Sequence, residues 1–142
     1  MFKRLILILA IVLSLTTSAY AGWGDGWRGQ LTGLTPVINV AANTTLTANQ
    51  CLGQIVLVTG NYTVTLPPVV IGSMVTLRAT TAAVFYGKAN ANDRIILSGV
   101  ALDDGDKTAS PGNAGDQITY WGDSAAGWSV VSMIGGHTDG GA

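Results

Sequence analysis

The densest set of side chains able to do chemistry is Asp103-Asp104-Gly105-Asp106. Three carboxylates around one glycine could gather oxygens for a calcium ion, which takes about six to eight of them. The stretch lacks the spaced ligands and closing glutamate of an EF-hand loop, and strand-like segments flank it, so it reads as a solvated turn. Calcium at Asp103, Asp104 and Asp106 is the one cofactor the pattern leaves open. Asp93 and Asp116 stand just before strands and read as turn residues too. His137 is the only histidine and falls in "MIGGHTDGGA", where glycine would hold a general base poorly. The chain has no G-x-S-x-G, no glutamate, and no second His or Cys for zinc. A glycosidase can work with two aspartates, but nothing in the spacing sets two of these in one pocket. The chain therefore reads as a non-enzyme, with a paired-Asp hydrolase kept as a third reading.

Aromatic residues offer binding instead of catalysis. Tyr120, Trp121 and Trp128 lie on or beside the last two strong strand candidates, and "WGDSAAGW" is a loop bracketed by tryptophans. Exposed rings there would make a carbohydrate-binding module, and rings turned inward would only cap the core. Trp23 and Trp27 lie in "SAYAGWGDGWRGQ", a glycine-rich stretch with no strand pattern to bury them. Two large apolar rings on an arm either fold back on their own domain or dock onto a neighbouring copy, and docking is the expectation because aromatic anchors dominate binding hot spots.

The elements that must position these groups begin with an export signal. Lys3 and Arg4 precede the apolar run Leu5 to Leu15, and Ala19-Tyr20-Ala21 fits the small-x-small site cut by signal peptidase. The expected organisation is a signal peptide at 1–21, a flexible Gly/Trp-rich arm at 22–35, an all-β domain at 36–134 and a Gly-rich tail at 135–142. No membrane span is expected after cleavage, and the destination is secreted, extracellular or cell-surface, with the periplasm the nearest alternative. Beyond residue 21, five Lys and Arg face eight aspartates, a side-chain charge of −3 with no basic patch for nucleic acid. All the acid is Asp, which favours turns over helices. Cys51 stands alone, so it is either a small buried hydrophobe or half of a bridge between copies.

Strand signals run through the rest. Gln54 to Thr59 and Tyr62 to Leu66 flank Gly60-Asn61, which predicts an antiparallel hairpin ended by Pro67-Pro68. Further candidates are Val37 to Val40, Thr44 to Thr47, Ser73 to Thr80, Ala82 to Gly87, Arg94 to Ser98, Gln117 to Trp121 and Trp128 to Met133. No apolar helical spacing and no internal repeat stands out. The expected fold is all-β, a compact antiparallel sandwich or roll of about seven to nine short strands.

Three segments, "TANQCLGQIVLVTGNYTVTLPPVVIGSMVTL", "ANDRIILSGVALDDGDK" and "AGDQITYWGDSAAGWSVVS", follow in order a β-module of phage tail fibre and virion-associated proteins and of related bacterial surface proteins. The resemblance covers Thr47 to about Gly141. It implies a non-catalytic building or recognition domain, often assembled as a homo-oligomer. The short single domain and the signal peptide depart from a tail fibre and point to a secreted bacterial protein that reuses the module. The function expected is a structural or adhesive subunit that self-associates. The alternative is carbohydrate binding, with cell-surface polysaccharide as partner, through Tyr120, Trp121 and Trp128.

Overall fold

A computed structural model describes residues 37–124 and 127–141. Among them the chain is all-β, with twelve strands in two mixed sheets and one 3-10 turn. The strands are β1 Val37–Val40, β2 Thr44–Thr45, β3 Leu52–Val58, β4 Thr63–Thr65, β5 Met74–Ala79 and β6 Tyr86–Lys88. They continue as β7 Arg94–Leu97, β8 Val100–Ala101, β9 Lys107–Ala109, β10 Gln117–Ser124, β11 Gly127–Ile134 and β12 Thr138–Asp139. A seven-stranded sheet runs β1-β3-β5-β10-β11-β7-β8, and a five-stranded sheet runs β12-β9-β6-β4-β2.

The expected hairpin at Gly60-Asn61 is instead a corner. β3 and β4 belong to different sheets, and β3 pairs parallel to both β1 and β5. β2, β4 and β6 likewise run parallel in the second sheet. From β1 to β6 the chain thus climbs in turns that each cross from one sheet to the other. Val37 lies beside Ile55, 18 positions on, and Ile55 lies beside Thr76, 21 positions on. This is a structural repeat that the sequence hides, because the corners differ in length. Side chains at the corners lock one turn onto the next: the Asn43 carboxamide oxygen accepts from the Thr63 backbone N–H at 2.9 Å, and that of Asn61 accepts from Val84 at 2.8 Å. Thr59 and Thr80 hydroxyls donate to the Val40 and Val58 carbonyls one turn below. The Asn carboxamides satisfy corner N–H groups, and the Thr hydroxyls add a second donor to carbonyls that already accept from the Thr59 and Thr80 N–H groups.

The core lies between the sheets. Val56, Val58, Val75 and Leu77 from one sheet meet Val64, Leu66 and Phe85 from the other, and Tyr120 and Trp128 are fully buried with them. Removing that apolar surface from water is the main stabilising term for a domain without a disulfide. Cys51 is wholly buried, and burial pushes its thiol up to about 12. A thiol held protonated inside the core is a small hydrophobe and a poor partner for a bridge between copies.

The end of the chain is not a loose tail. β12 pairs antiparallel with β9, and His137 is buried against the Phe85 ring at 5.5 Å between centroids. Its Nε2–H donates to the Ile134 carbonyl at 3.2 Å. Desolvation pulls the imidazole below its ordinary value of 6.5, against smaller opposing effects from the Ile134 carbonyl and Asp116. The unfolded chain therefore takes up a proton near pH 6.5 that the folded chain refuses. Stability should be level above that pH and fall as pH drops below it. Urea midpoints measured across pH would show this, and the fall beginning at pH 6.5 should vanish in His137→Gln whatever that variant's absolute stability.

Candidate functional site: the outer face of the seven-stranded sheet

The three aromatics expected to form one sugar platform are divided by the pleat. Tyr120 and Trp121 are neighbours on β10, and consecutive side chains in a strand point to opposite faces. Tyr120 turns inward, where its hydroxyl meets that of Thr108 at 2.5 Å. Burial raises its phenol above the ordinary value, so it stays neutral. Trp128, opposite Gly122 on the neighbouring strand, is also inside. Trp121 alone faces outward, 45% exposed. The trio is a pair of core residues and one surface residue. The sheet alternation itself was the signal that separates them.

The Asp-rich turn does not gather its carboxylates. Asp103 and Asp104 are exposed and Asp106 is buried. Asp104 pairs with Arg94 at 2.9 Å on the surface, a contact that contributes little to stability. The turn closes by the Asp106 N–H bonding the Asp103 carbonyl, and Gly105 supplies the positive φ of 76°. Among the described residues no three His, Cys, Asp or Glu side chains come together in a way that could hold a metal. Asp93 and Asp116 have structural tasks: their carboxylates accept from the Val69 and Asn113 backbone N–H groups at 2.9 and 2.7 Å. Trp23 and Trp27 lie outside the described residues.

What the sheet does assemble is an apolar outer face. Leu52, Met74 and Trp121 stand in one row across β3, β5 and β10, exposed by 65, 43 and 45%. The parallel row beside it reads Val37, Ile55, Thr76, Thr119 and Ser132. In that row the Thr76 and Thr119 hydroxyls bond each other at 2.9 Å, one donating to the other. A bulge between Thr119 and Tyr120 leaves Val131 unopposed and half exposed.

Charge on this face is sparse and ordered. Among the described outward positions of β1, β3, β5, β10 and β11, the charged side chains are Arg78 and Asp123. Arg78 stands one row beyond Thr76, and Asp123 stands beyond Trp121 at the opposite end, where the Ser129 hydroxyl donates to its carboxylate. β5 and β10 are adjacent strands, so the two charges bracket the exposed apolar row from opposite ends. Sequence reasoning missed Leu52 and Met74, because their partnership with Trp121 depends on parallel pairing between distant segments.

Comparison with protein families, with curated proteins and with solved structures gives no match for the chain.

Proposed function

We propose that the chain is an exported, non-catalytic structural or adhesive subunit that assembles with copies of itself through the outer face of its seven-stranded sheet. The observation that carries this is the exposed row Leu52, Met74 and Trp121 with Arg78 and Asp123 at opposite ends. Contiguous exposed apolar surface with a polar border is the mark of an interaction site. The charge order selects a second copy as the occupant. A two-fold axis lying in the face and crossing the strands between the Thr76 and Met74 rows carries the Arg78 end of one copy onto the Asp123 end of the other. It also sets each Trp121 over the Thr76 and Thr119 pair of its neighbour. An isologous interface needs such self-complementarity. The leader read at 1–21 would deliver the chain across a membrane before assembly, and the resemblance to homo-oligomeric virion and surface modules supports the same reading.

Met74 gives a direct reporter. Peroxide oxidation of its thioether should be rapid in dilute protein and slow several-fold as concentration rises, read by peptide mass spectrometry. An oxidation rate independent of concentration up to the millimolar range would sink the proposal.

A further inference from the structure

Toward the β1 edge, the outer face of the seven-stranded sheet holds an open groove of about 580 Å³. Small-molecule sites run from about 300 to 1,000 Å³. Val37 and Ile55 are register partners in it, and so are Leu57 and Arg78. All four turn away from the core, because Val56, Val58, Leu77 and Ala79 alternate with them into it. Thr80 and Gly115 complete the lining, and both are fixed. The Gly115 N–H donates to the Ala79 carbonyl at 2.9 Å, and the Thr80 N–H and hydroxyl both donate to the Val58 carbonyl.

One charge stands in this groove. Arg78 is exposed, and among the described residues its guanidinium has neither an ion pair nor a hydrogen bond. Its neighbours in the same outward row are Leu57 and Gln117, and no carboxylate lines the groove. The floor is therefore apolar at the β1 side, where Val37, Ile55 and Leu57 lie, and cationic at β5. Two strand gaps separate those ends, about 10 Å.

We propose that this groove binds a medium-chain fatty acid, with the carboxylate on Arg78 and the alkyl chain laid over Leu57, Ile55 and Val37. The planar guanidinium matches a carboxylate with two parallel hydrogen bonds, and the chain covers apolar surface that otherwise faces water. A polyanion is the poorer fit, because the groove offers one cation and the chain beyond residue 21 carries net negative charge. A neutral sugar would find no aromatic ring to stack on.

The site itself does not depend on assembly, but one consequence rests on that reading. The two-fold axis that sets Trp121 over Thr76 and Thr119 also sets Leu52 of the neighbouring copy over Ile55, and it brings Asp123 of that copy to the Arg78 end. A bound fatty acid would put an alkyl chain and a carboxylate where the neighbour puts its own. Occupied groove and assembled face then exclude each other, so the ligand controls assembly.

The test titrates octanoate into the purified protein lacking residues 1–21, at a dilution where light scattering reports a monomer, and follows methyl and amide resonances by NMR. Acetate supplies the head without the chain, and octyl glucoside below its micelle concentration supplies the chain without the charge. Octanoate should saturate at millimolar concentration with the largest shifts at Val37, Ile55 and Leu57, and both controls should bind at least roughly tenfold more weakly. Arg78→Gln should lose at least roughly tenfold in octanoate affinity with an unchanged melting temperature, since the side chain lies on the surface. No octanoate binding at millimolar concentration, shifts centred elsewhere, or equal binding of octyl glucoside or by Arg78→Gln overturns the site. At concentrations where the protein assembles, saturating octanoate should return it to a monomer. Octanoate bound with the mass unchanged overturns the control of assembly, whereas octanoate bound to a protein that is monomeric at every concentration supports the site and contradicts the assembly alone.

Discussion

Alanine at Gly87 is expected to destabilise the domain by about 3 kcal/mol, one of the largest effects of any single methyl in the chain. Gly87 lies on β6 with its Cα hydrogens toward the core, and an added Cβ would sit 1.9 Å from the Tyr120 hydroxyl and 2.7 Å from its ring carbon Cζ. Neither neighbour can withdraw. Tyr120 is packed in the interior between the sheets, and Thr108, register partner of Gly87, holds its hydroxyl. Against a total stability of about 5–15 kcal/mol the loss is large enough to read in a urea titration. A double-mutant cycle sharpens the expectation. Tyr120→Phe alone should cost about 1 kcal/mol, because the Thr108 hydroxyl keeps the Gly87 carbonyl as a partner. In the Gly87→Ala/Tyr120→Phe double variant the closest clash is gone, so the two losses should sum to more than the pair costs, by at least about 1 kcal/mol. Simple additivity would show that Gly87 and Tyr120 do not meet as described.

The two tryptophans of the last hairpin should behave oppositely. Trp128→Ala is expected to cost about 3–5 kcal/mol, since the indole is fully enclosed and its removal leaves a cavity beside Ile95, its register partner on β7, in a close-packed core. Trp128→Phe should cost much less. It keeps most of the apolar volume and removes an indole N–H that is buried without a hydrogen-bond partner among the described residues. Trp121→Ala, seven positions away, should change the unfolding free energy of dilute protein by no more than about 0.5 kcal/mol, because its ring lies on the surface. Comparable losses at both positions would mean that Trp121 also belongs to the core, and the outer face would lose its central anchor.

The strands were legible in the sequence because their β-branched residues announce them: Val37–Val40 agrees in both bounds, and β3, β5, β7 and β11 fall where the apolar runs lie. β9 was missed for a physical reason. Its one buried side chain is Thr108, a polar group satisfied by Tyr120, so apolar periodicity passes over Lys107–Ala109. Connectivity was misread because Gly60-Asn61 serves equally well as a hairpin turn or a corner. What decides is the bond from the Asn61 carboxamide to Val84, 23 residues away, which no local window contains. The same blindness hid the repeat, since corresponding corners differ in length. His137 was misplaced in a tail because glycine density suggests mobility, whereas β12 and the Phe85 ring fix it. Of the three candidate sugar-binding aromatics only Trp121 lies on the surface, and its neighbours Leu52 and Met74 joined it through pairing that composition cannot express.

The proposed assembly requires that copies of this chain meet through the outer face of the seven-stranded sheet. The measurement that bears on it most directly is the solution mass of the purified protein lacking residues 1–21, by size exclusion with light scattering over a concentration series, for wild type beside Trp121→Asp. A carboxylate at the centre of that face would be buried against its own copy, at a cost of at least about 2 kcal/mol in association. Wild type is expected to reach a defined dimer or larger assembly with reductant present, and a folded Trp121→Asp variant to remain monomeric at the same concentrations. A wild type that stays monomeric throughout, or a variant that assembles as readily as wild type, would contradict it.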